Sequence, residues 1–213
     1  MNLPTKITFS RIIAIVIMIV TLAILAMIPN FTSPEMIPTT KINWVYGIVF
    51  IFFLIASYTD HLDGKIARSR NMVTDLGKFL DPVADKLLIN SMIVFLIAPQ
   101  ISAPYAVGNV TFNVWCAIII IGRDIVVDAL RFIAAQKKVV IAANIFGKLK
   151  TVLQMVAICL VLLNDFPFHY LYGNGNEWYS ITNIMVYLAT AVSVISGVIY
   201  VWQNRQVFKE EGK

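Results

Sequence analysis

Four aspartates in the first half of the chain form two pairs, Asp60 with Asp63 and Asp81 with Asp85. The pairs are three and four residues apart, so each would share one face of a helix. Converging carboxylates repel one another unless cations lie between them, and carboxylate oxygens are ligands that suit Mg²⁺ and Mn²⁺. The spacing therefore predicts a site for divalent metal ions where two helices meet.

Small and cationic residues around the acids predict a bound diphosphate. Gly64, Ala67 and Gly77 leave little side chain beside the acids, so phosphate groups can come close to the backbone. Arg68 is suited to bidentate contact with a phosphate. Thr74 is placed to cap a helix start, where free N–H groups favour an anion. The expected chemistry is a metal-assisted reaction of a diphosphate.

The whole pattern resembles the signature of the CDP-alcohol phosphotransferase family. It reads Asp60-x-x-Asp63-Gly64-x-x-Ala67-Arg68, then eight residues, then Gly77-x-x-x-Asp81-x-x-x-Asp85, and all eight signature positions match. The resemblance implies an enzyme that displaces CMP from a CDP-linked alcohol with a second alcohol, and it implies a homodimer. It assigns the four aspartates to two Mg²⁺ or Mn²⁺ ions and makes Asp85 also the catalytic base. It implies that the CDP-diacylglycerol headgroup is bound by Asp63, Gly64, Ala67, Arg68, Thr74 and Gly77.

Other residues predict the site of the second alcohol. Asn2, Pro4, Thr8 and Arg11 resemble the opening of the branch that uses glycerol 3-phosphate, with Thr5 where that branch often has asparagine. The segments 123–131 and 147–155, the second reading Gly-Lys-Leu-Lys-Thr and then Gln-Met after two residues, resemble the same branch. An acceptor that carries a phosphate needs cations close to the metals. The candidates are Thr8, Arg11, Arg123, Arg131, Lys148 and Lys150.

Other roles remain open for these cations. Lys148 and Lys150 could be topology signals that also attract anionic lipid. Arg11 could be an anchor at the membrane surface. Arg123 could simply neutralise Asp124 or Asp128, which follow it closely on the same segment. Asp124, Asp128 and Arg131 have the spacing i, i+4, i+7, so we expect them to share a stripe that faces the interior of the bundle.

Composition indicates that the elements carrying these residues lie in a membrane. The chain has 213 residues, of which 59% are hydrophobic, and long apolar runs with few charges require lipid. We expect one domain over residues 1–213, an all-α bundle of six transmembrane helices. The expected spans are 7–28, 44–56 with helix continuing to 67, 74–98, 114–135, 151–163 and 181–202. The third helix should start near Thr74 rather than at Asp81, because only then do Gly77, Asp81 and Asp85 form one stripe. Residues 136–150 are expected to be a basic connection.

The basic residues predict orientation. Lys and Arg are frequent at both termini and in the connections after the second and fourth spans, whereas the other connections carry only Lys41. By the positive-inside rule both termini and the aspartates face the cytoplasm. We therefore expect a multi-pass protein of the cell membrane whose active site faces the cytoplasm.

The favoured reaction transfers the phosphatidyl group from CDP-diacylglycerol to sn-glycerol 3-phosphate, giving phosphatidylglycerophosphate and CMP. The alternatives within the family have another acceptor: phosphatidylglycerol as in a cardiolipin synthase, inositol phosphate, or serine. A more distant alternative is a cation transporter. Transporters hold such acids near the membrane midplane, often in broken helices or paired repeats, whereas these acids are expected at helix ends beside an arginine. The net charge of +5 fits the expected topology, and no nucleic-acid partner is expected.

Overall fold

Helices dominate the computed structural model, which describes residues 3–28, 35–37, 42–69, 75–101, 112–137, 145–168 and 180–205. Within these ranges there are six helices, α1 (Leu3–Met27), α2 (Trp44–Ser69), α3 (Asp75–Ile101), α4 (Val114–Gln136), α5 (Ile145–Leu162) and α6 (Ile181–Gln203). Two short antiparallel strands, β1 (Glu35–Ile37) and β2 (Ile42–Asn43), lie between α1 and α2. The predicted α-helical architecture is confirmed within the described residues. The sequence predicts a loop where the structure has the short two-stranded sheet of β1 and β2.

The start of α3 agrees with the sequence prediction, and the start of α5 does not. Helix α3 begins at Asp75 and continues through Pro82, so the helix start near position 74 is confirmed. Helix α5 begins at Ile145, so the expectation of a connection as far as residue 150 is wrong. A cluster of lysines favours a loop, but Lys150 is buried and ion-paired, so its charge does not end the helix.

The outer faces of the helices are apolar. Within the described ranges, three helices are long and apolar enough to cross a membrane, over Thr5–Leu25, Ile145–Leu162 and Ile181–Gln203, and Trp44–Asp60 is a shorter apolar helix. Large side chains such as Ile17, Ile24 and Val198 are more than half exposed. Apolar patches on this scale require a non-aqueous partner, so the chain is a membrane protein. The count of six spans and their orientation stay predictions.

Helix α3 lies at the centre of the main core. Its Leu88, Met92 and Leu96 are buried among Phe53 of α2 and Ile158 of α5. It packs against the other helices on several sides, including α1, α4 and α5. Since close packing resists displacement, α3 gives Asp81 and Asp85 a fixed position relative to the surrounding helices.

Helix α6 packs closely against α4 and α5, and its buried face is rich in small residues. Ser193, Ser196 and Gly197 lie on that face, and small residues let helices approach within a membrane. The start of α6 is tied to the end of α5, since Asp165 Oδ1 accepts hydrogen bonds from the backbone N–H and the hydroxyl of Thr182 at 3.1 and 2.6 Å. This fixes which face of α6 is turned toward α4.

Candidate active site

Helix α1 connects the two acidic helices. Thr8 and Arg11 lie three residues apart on α1 and are both buried. Thr8 Oγ1 donates a hydrogen bond to Asp81 Oδ1 of α3 at 3.0 Å. Arg11 Nη1 donates to Asp60 Oδ1 of α2, forming an ion pair. One face of α1 thus holds an acid from each half of the signature, and Arg11 is no surface anchor.

The third described acid, Asp85, lies within electrostatic range of this group. Its charge is repelled by that of Asp60 and attracted by those of Arg11 and Lys150. Oxygen-only donors of this kind fit a hard divalent cation such as Mg²⁺ or Mn²⁺. Among the described side chains no group of three His, Cys, Asp or Glu is arranged to hold a metal ion, and the side chain of Asp63 lies outside the described residues.

The residues expected to bind the nucleotide are only partly described. Gly77 lies one turn before Asp81 on α3, and Gly64 lies on α2 one residue after Asp63. The side chains of Ala67 and Arg68, and the whole of Thr74, lie outside the described residues. The predicted roles of these residues stay predictions.

A polar cavity of about 240 Å³ lies between α3, α4, α5 and α6. It is lined by five cations, Lys86, Arg123, Arg131, Lys148 and Lys150, and by three carboxylates, Asp85, Asp124 and Asp128. The charged lining has a net charge of +2 in the usual ionisation states. The structure therefore brings Asp85 together with four of the six residues predicted for the acceptor, while Thr8 and Arg11 instead contact Asp81 and Asp60.

Asp124 organises two of these cations. Its buried carboxylate accepts hydrogen bonds from Lys150 Nζ at both oxygens, with 2.6 Å to Oδ2, and from Arg123 Nη1 at 3.0 Å. Arg123 also donates to Ser196 Oγ at 2.7 Å and to the carbonyl of Ser193 at 3.2 Å. The suggestion that Arg123 neutralises Asp124 is thus confirmed, and Lys150 shares that carboxylate. The network fixes two cations on the cavity wall.

Lys86 and Asp128 form a second ion pair on the wall. Asp128 lies one turn after Asp124 on α4, so both acids and Arg131 share the predicted inward stripe. Each of the two acids is paired with a lysine from a neighbouring helix.

Arg131 and Lys148 differ from the other cations of the cavity. Arg131 Nε donates to Tyr200 Oη at 3.0 Å, and its guanidinium lies 5.3 Å from the centre of that ring. Among the described residues neither Arg131 nor Lys148 has a carboxylate within ion-pair distance. Their charges are therefore available to an anion that enters the cavity.

Sequence reasoning missed one residue of this cavity and the contacts of two others. Tyr200 supports Arg131 from a helix 69 residues away, which no local pattern reveals. Asp124 was noticed as a neighbour of Arg123 but not as the partner of Lys150. Gln154 was noticed only as part of a motif, although it lies one helical turn after Lys150 and so shares its face; it also lines the cavity.

Comparison with known proteins gives one family. Residues 1–195 match the family model described as CDP-alcohol phosphatidyltransferase. A Bacillus subtilis protein named CDP-diacylglycerol–glycerol-3-phosphate 3-phosphatidyltransferase is 35% identical over 98% of this chain and 97% of its own length. A Mycoplasma pneumoniae protein of the same name is 32% identical over 100% of this chain and 91% of its own. An Arabidopsis thaliana protein, whose name adds the number 2, is 31% identical over 93% and 78%.

Proposed function

This chain belongs to the CDP-alcohol phosphatidyltransferase family, and from that premise we propose that it transfers the phosphatidyl group of CDP-diacylglycerol to sn-glycerol 3-phosphate. The products are phosphatidylglycerophosphate and CMP. The names of the relatives support this reaction. The observation that carries the choice of a phosphate-bearing acceptor is the polar cavity, whose lining Asp85 shares with Arg131 and Lys148, two cations that have no carboxylate partner among the described residues. A phosphate-bearing acceptor uses such cations, and a phosphate-free one does not.

In this proposal Asp85 is the catalytic base. It accepts the proton of the primary hydroxyl of glycerol 3-phosphate, whose oxygen forms a bond to the phosphorus that carries diacylglycerol. The anhydride P–O bond breaks, and CMP leaves with the electron pair. A base needs hydrogen-bond reach to the proton that it takes, and Asp85 lines the cavity in which the acceptor would lie.

The four aspartates at 60, 63, 81 and 85 would hold two divalent ions, Mg²⁺ or Mn²⁺. Enzymes of this family generally depend on a divalent metal. Bound ions would neutralise the charge of the diphosphate and of the leaving phosphate. The task of Thr8 and Arg11 is then to orient acids: each donates to one oxygen of a signature carboxylate, as partners of metal ligands commonly do.

The donor's headgroup would be bound by Asp63, Gly64, Ala67, Arg68, Thr74 and Gly77, the positions of the family signature. Its acyl chains need an apolar surface. An apolar cleft of about 700 Å³ lies beside the polar cavity, lined by side chains that include Leu22, Leu87 and Phe95. Lys86 and Asn90 line both the cleft and the cavity. A lipid in the cleft would therefore have its polar end close to the acceptor.

The acceptor's phosphate would be bound by Arg131 and Lys148, with Lys150 and Arg123 held behind them by Asp124. The net charge of +2 on the lining complements the charge of a phosphate monoester, which is close to −2 at neutral pH. Fixed cations bind an anion more tightly than mobile ones because less side-chain freedom is lost on binding. Arg131 is held by its hydrogen bond to Tyr200, and Arg123 and Lys150 are held by charged hydrogen bonds to Asp124.

The whole chain would form a single domain with six transmembrane helices and both termini in the cytoplasm. It would lie in the cell membrane as a multi-pass homodimer whose active site faces the cytoplasm. The positive-inside rule supports this orientation: Arg131 and Lys137 lie near the end of α4, and Lys148 lies near the start of α5, so these cations belong to one side of the membrane.

An acceptor screen on the purified protein tests the proposal. CMP release from CDP-diacylglycerol in mixed micelles should occur with glycerol 3-phosphate and not with phosphatidylglycerol, inositol phosphate or serine. Arg131→Ala and Lys148→Ala should each raise the KM for glycerol 3-phosphate about tenfold or more, because a charged hydrogen bond contributes about 1.5–3 kcal/mol. Lys6→Ala is the matched control, since Lys6 is exposed and lines neither cavity nor cleft. Preference for another acceptor, or an unchanged KM in both cavity variants, refutes the proposal.

A further inference from the structure

Gln154 combines deep burial with an unmet capacity for hydrogen bonding. It is 1% exposed, and within the described part of the chain neither its Nε2 nor its Oε1 has a hydrogen-bond partner. Buried polar groups are nearly always paired, so each exception calls for an explanation. Gln154 also lines the polar cavity that contains Asp85. Its amide is therefore placed to be satisfied by a molecule in that cavity.

The chemistry of an amide selects one kind of partner group. Nε2 donates and Oε1 accepts. A phosphate dianion offers only acceptor oxygens, so it would leave Oε1 unsatisfied, whereas a hydroxyl donates one hydrogen bond and accepts others. The cavity already supplies cations for a phosphate, at Arg131 and Lys148. The amide thus suits a neutral alcohol group and not the charged end of a ligand.

The position of Gln154 on α5 agrees with a ligand whose phosphate contacts the cations and whose alcohol group contacts the amide. It follows Lys150 by four residues on the same helix, which places the two on one face about 6 Å apart along the axis. A three-carbon phosphate ester has a similar length. Such a ligand could lie along α5 with its phosphate toward the lysines and its alcohol groups toward Gln154.

Resting on the proposed function, we propose that Gln154 binds the secondary hydroxyl of glycerol 3-phosphate and thereby sets acceptor specificity. The primary hydroxyl is the nucleophile and faces Asp85, which leaves the secondary hydroxyl for the amide. A site built around a substrate hydroxyl discriminates against an analogue that lacks it, because the buried polar groups are then left without a partner. Gln154 is a binding residue in this account and takes no proton.

Two acceptors and one substitution test the inference. The acceptors are glycerol 3-phosphate and 3-hydroxypropyl phosphate, which keeps the nucleophile and the phosphate but lacks the secondary hydroxyl. In the unmodified protein kcat/KM should be about 10- to 100-fold higher for glycerol 3-phosphate, as expected for two neutral hydrogen bonds. Gln154→Met should lower kcat/KM for glycerol 3-phosphate to near the value for the analogue and leave the analogue almost unaffected.

The thermal midpoint of each variant, measured in the same micelles, shows whether a substitution changes acceptor binding or the stability of the fold. Replacing an unsatisfied amide with an apolar group of similar shape should leave the thermal midpoint unchanged or raise it. If Met does not fit, Gln154→Leu is a second apolar variant. Gln136→Met is the control, because Gln136 is exposed at the end of α4 and does not line the cavity.

The outcomes are distinguishable from failure of the proposed function. If the unmodified protein releases CMP only with some other acceptor, the proposed function itself is wrong. If it uses glycerol 3-phosphate but treats the two acceptors alike, or if Gln154→Met retains the discrimination, the role of Gln154 is wrong. An equal loss with both acceptors would mean that the amide holds only water, and would also overturn the inference.

Discussion

Gly197→Ala should displace Arg123, and the structure gives the size of that displacement directly. A Cβ at this position of α6 would lie 2.8 Å from Cγ and 3.3 Å from Nε of Arg123. Carbon atoms in contact prefer about 3.5–4.0 Å, so the arginine stem would have to move by roughly 0.7 Å or more. The same arginine donates to Asp124, Ser196 and the carbonyl of Ser193. That displacement cannot preserve all of these bonds.

The expected change in the free energy of unfolding is the difference between two effects. Losing one charged hydrogen bond costs about 1.5–3 kcal/mol, while alanine in place of a helical glycine gains up to about 1 kcal/mol. Gly197→Ala should therefore destabilise the protein by about 1–2 kcal/mol. If Arg123 no longer fixes the network around Asp124, binding of the acceptor phosphate weakens by a similar amount. The KM for glycerol 3-phosphate should then rise about fivefold to thirtyfold.

Gly122→Ala is the matched control, because Gly122 is also a helical glycine, on α4, and its added Cβ would meet nothing within 4 Å. That variant should keep its KM and become slightly more stable. The assays are CMP release at varied glycerol 3-phosphate and the thermal midpoint in the same micelles. Identical behaviour of the two variants would show that Arg123 does not lie across Gly197. A lower midpoint with an unchanged KM would remove Arg123 from the acceptor site.

Two further predictions concern the acids. Asp85→Asn should lower kcat by about 10³-fold, as loss of a general base does, while CDP-diacylglycerol binding partly survives; wild-type turnover in this variant would exclude Asp85 as the base. Thr8→Val removes the hydroxyl that donates to Asp81 and should raise the Mg²⁺ or Mn²⁺ concentration needed for half-maximal activity about tenfold, as for other supports of metal ligands. Activity should return at high metal and vanish with a chelator. An unchanged metal requirement would limit Thr8 to packing.

Local spacing predicted the parts of the site that lie on single helices. Asp81 and Asp85 share a stripe of α3 because that helix starts at Asp75 and passes through Pro82, as the four-residue spacing required. Asp124 also faces inward on α4. These predictions held because helical periodicity is a local property. Placing a charged residue within an apolar helix costs free energy unless the charge has a partner, so the charged faces of α3 and α4 are expected to point toward other helices.

Partners on other helices could not be predicted in the same way. The sequence predicts that Arg11 binds the acceptor phosphate but does not reveal its ion pair with Asp60, 49 residues away. It left Lys150 in a connection, but that lysine is buried in a helix against Asp124. Both are cations beside an apolar span, and nothing in the local sequence distinguishes a ligand for a substrate from a partner for a buried acid. Only the packing of α1 against α2, and the placement of Lys150 of α5 opposite Asp124 of α4, make that distinction.

Asp85 is the residue at which the two halves of the site meet. On one side it experiences the charges of Asp60 and Arg11, which belong to the acidic group held by α1. On the other side it lines the cavity of Arg131 and Lys148. A reaction between a diphosphate and an alcohol needs one group that reaches both reactants at their point of contact. Among the signature acids whose side chains are described, Asp85 alone lines that cavity, and this position supports the proposal that the base is Asp85 rather than Asp60 or Asp81.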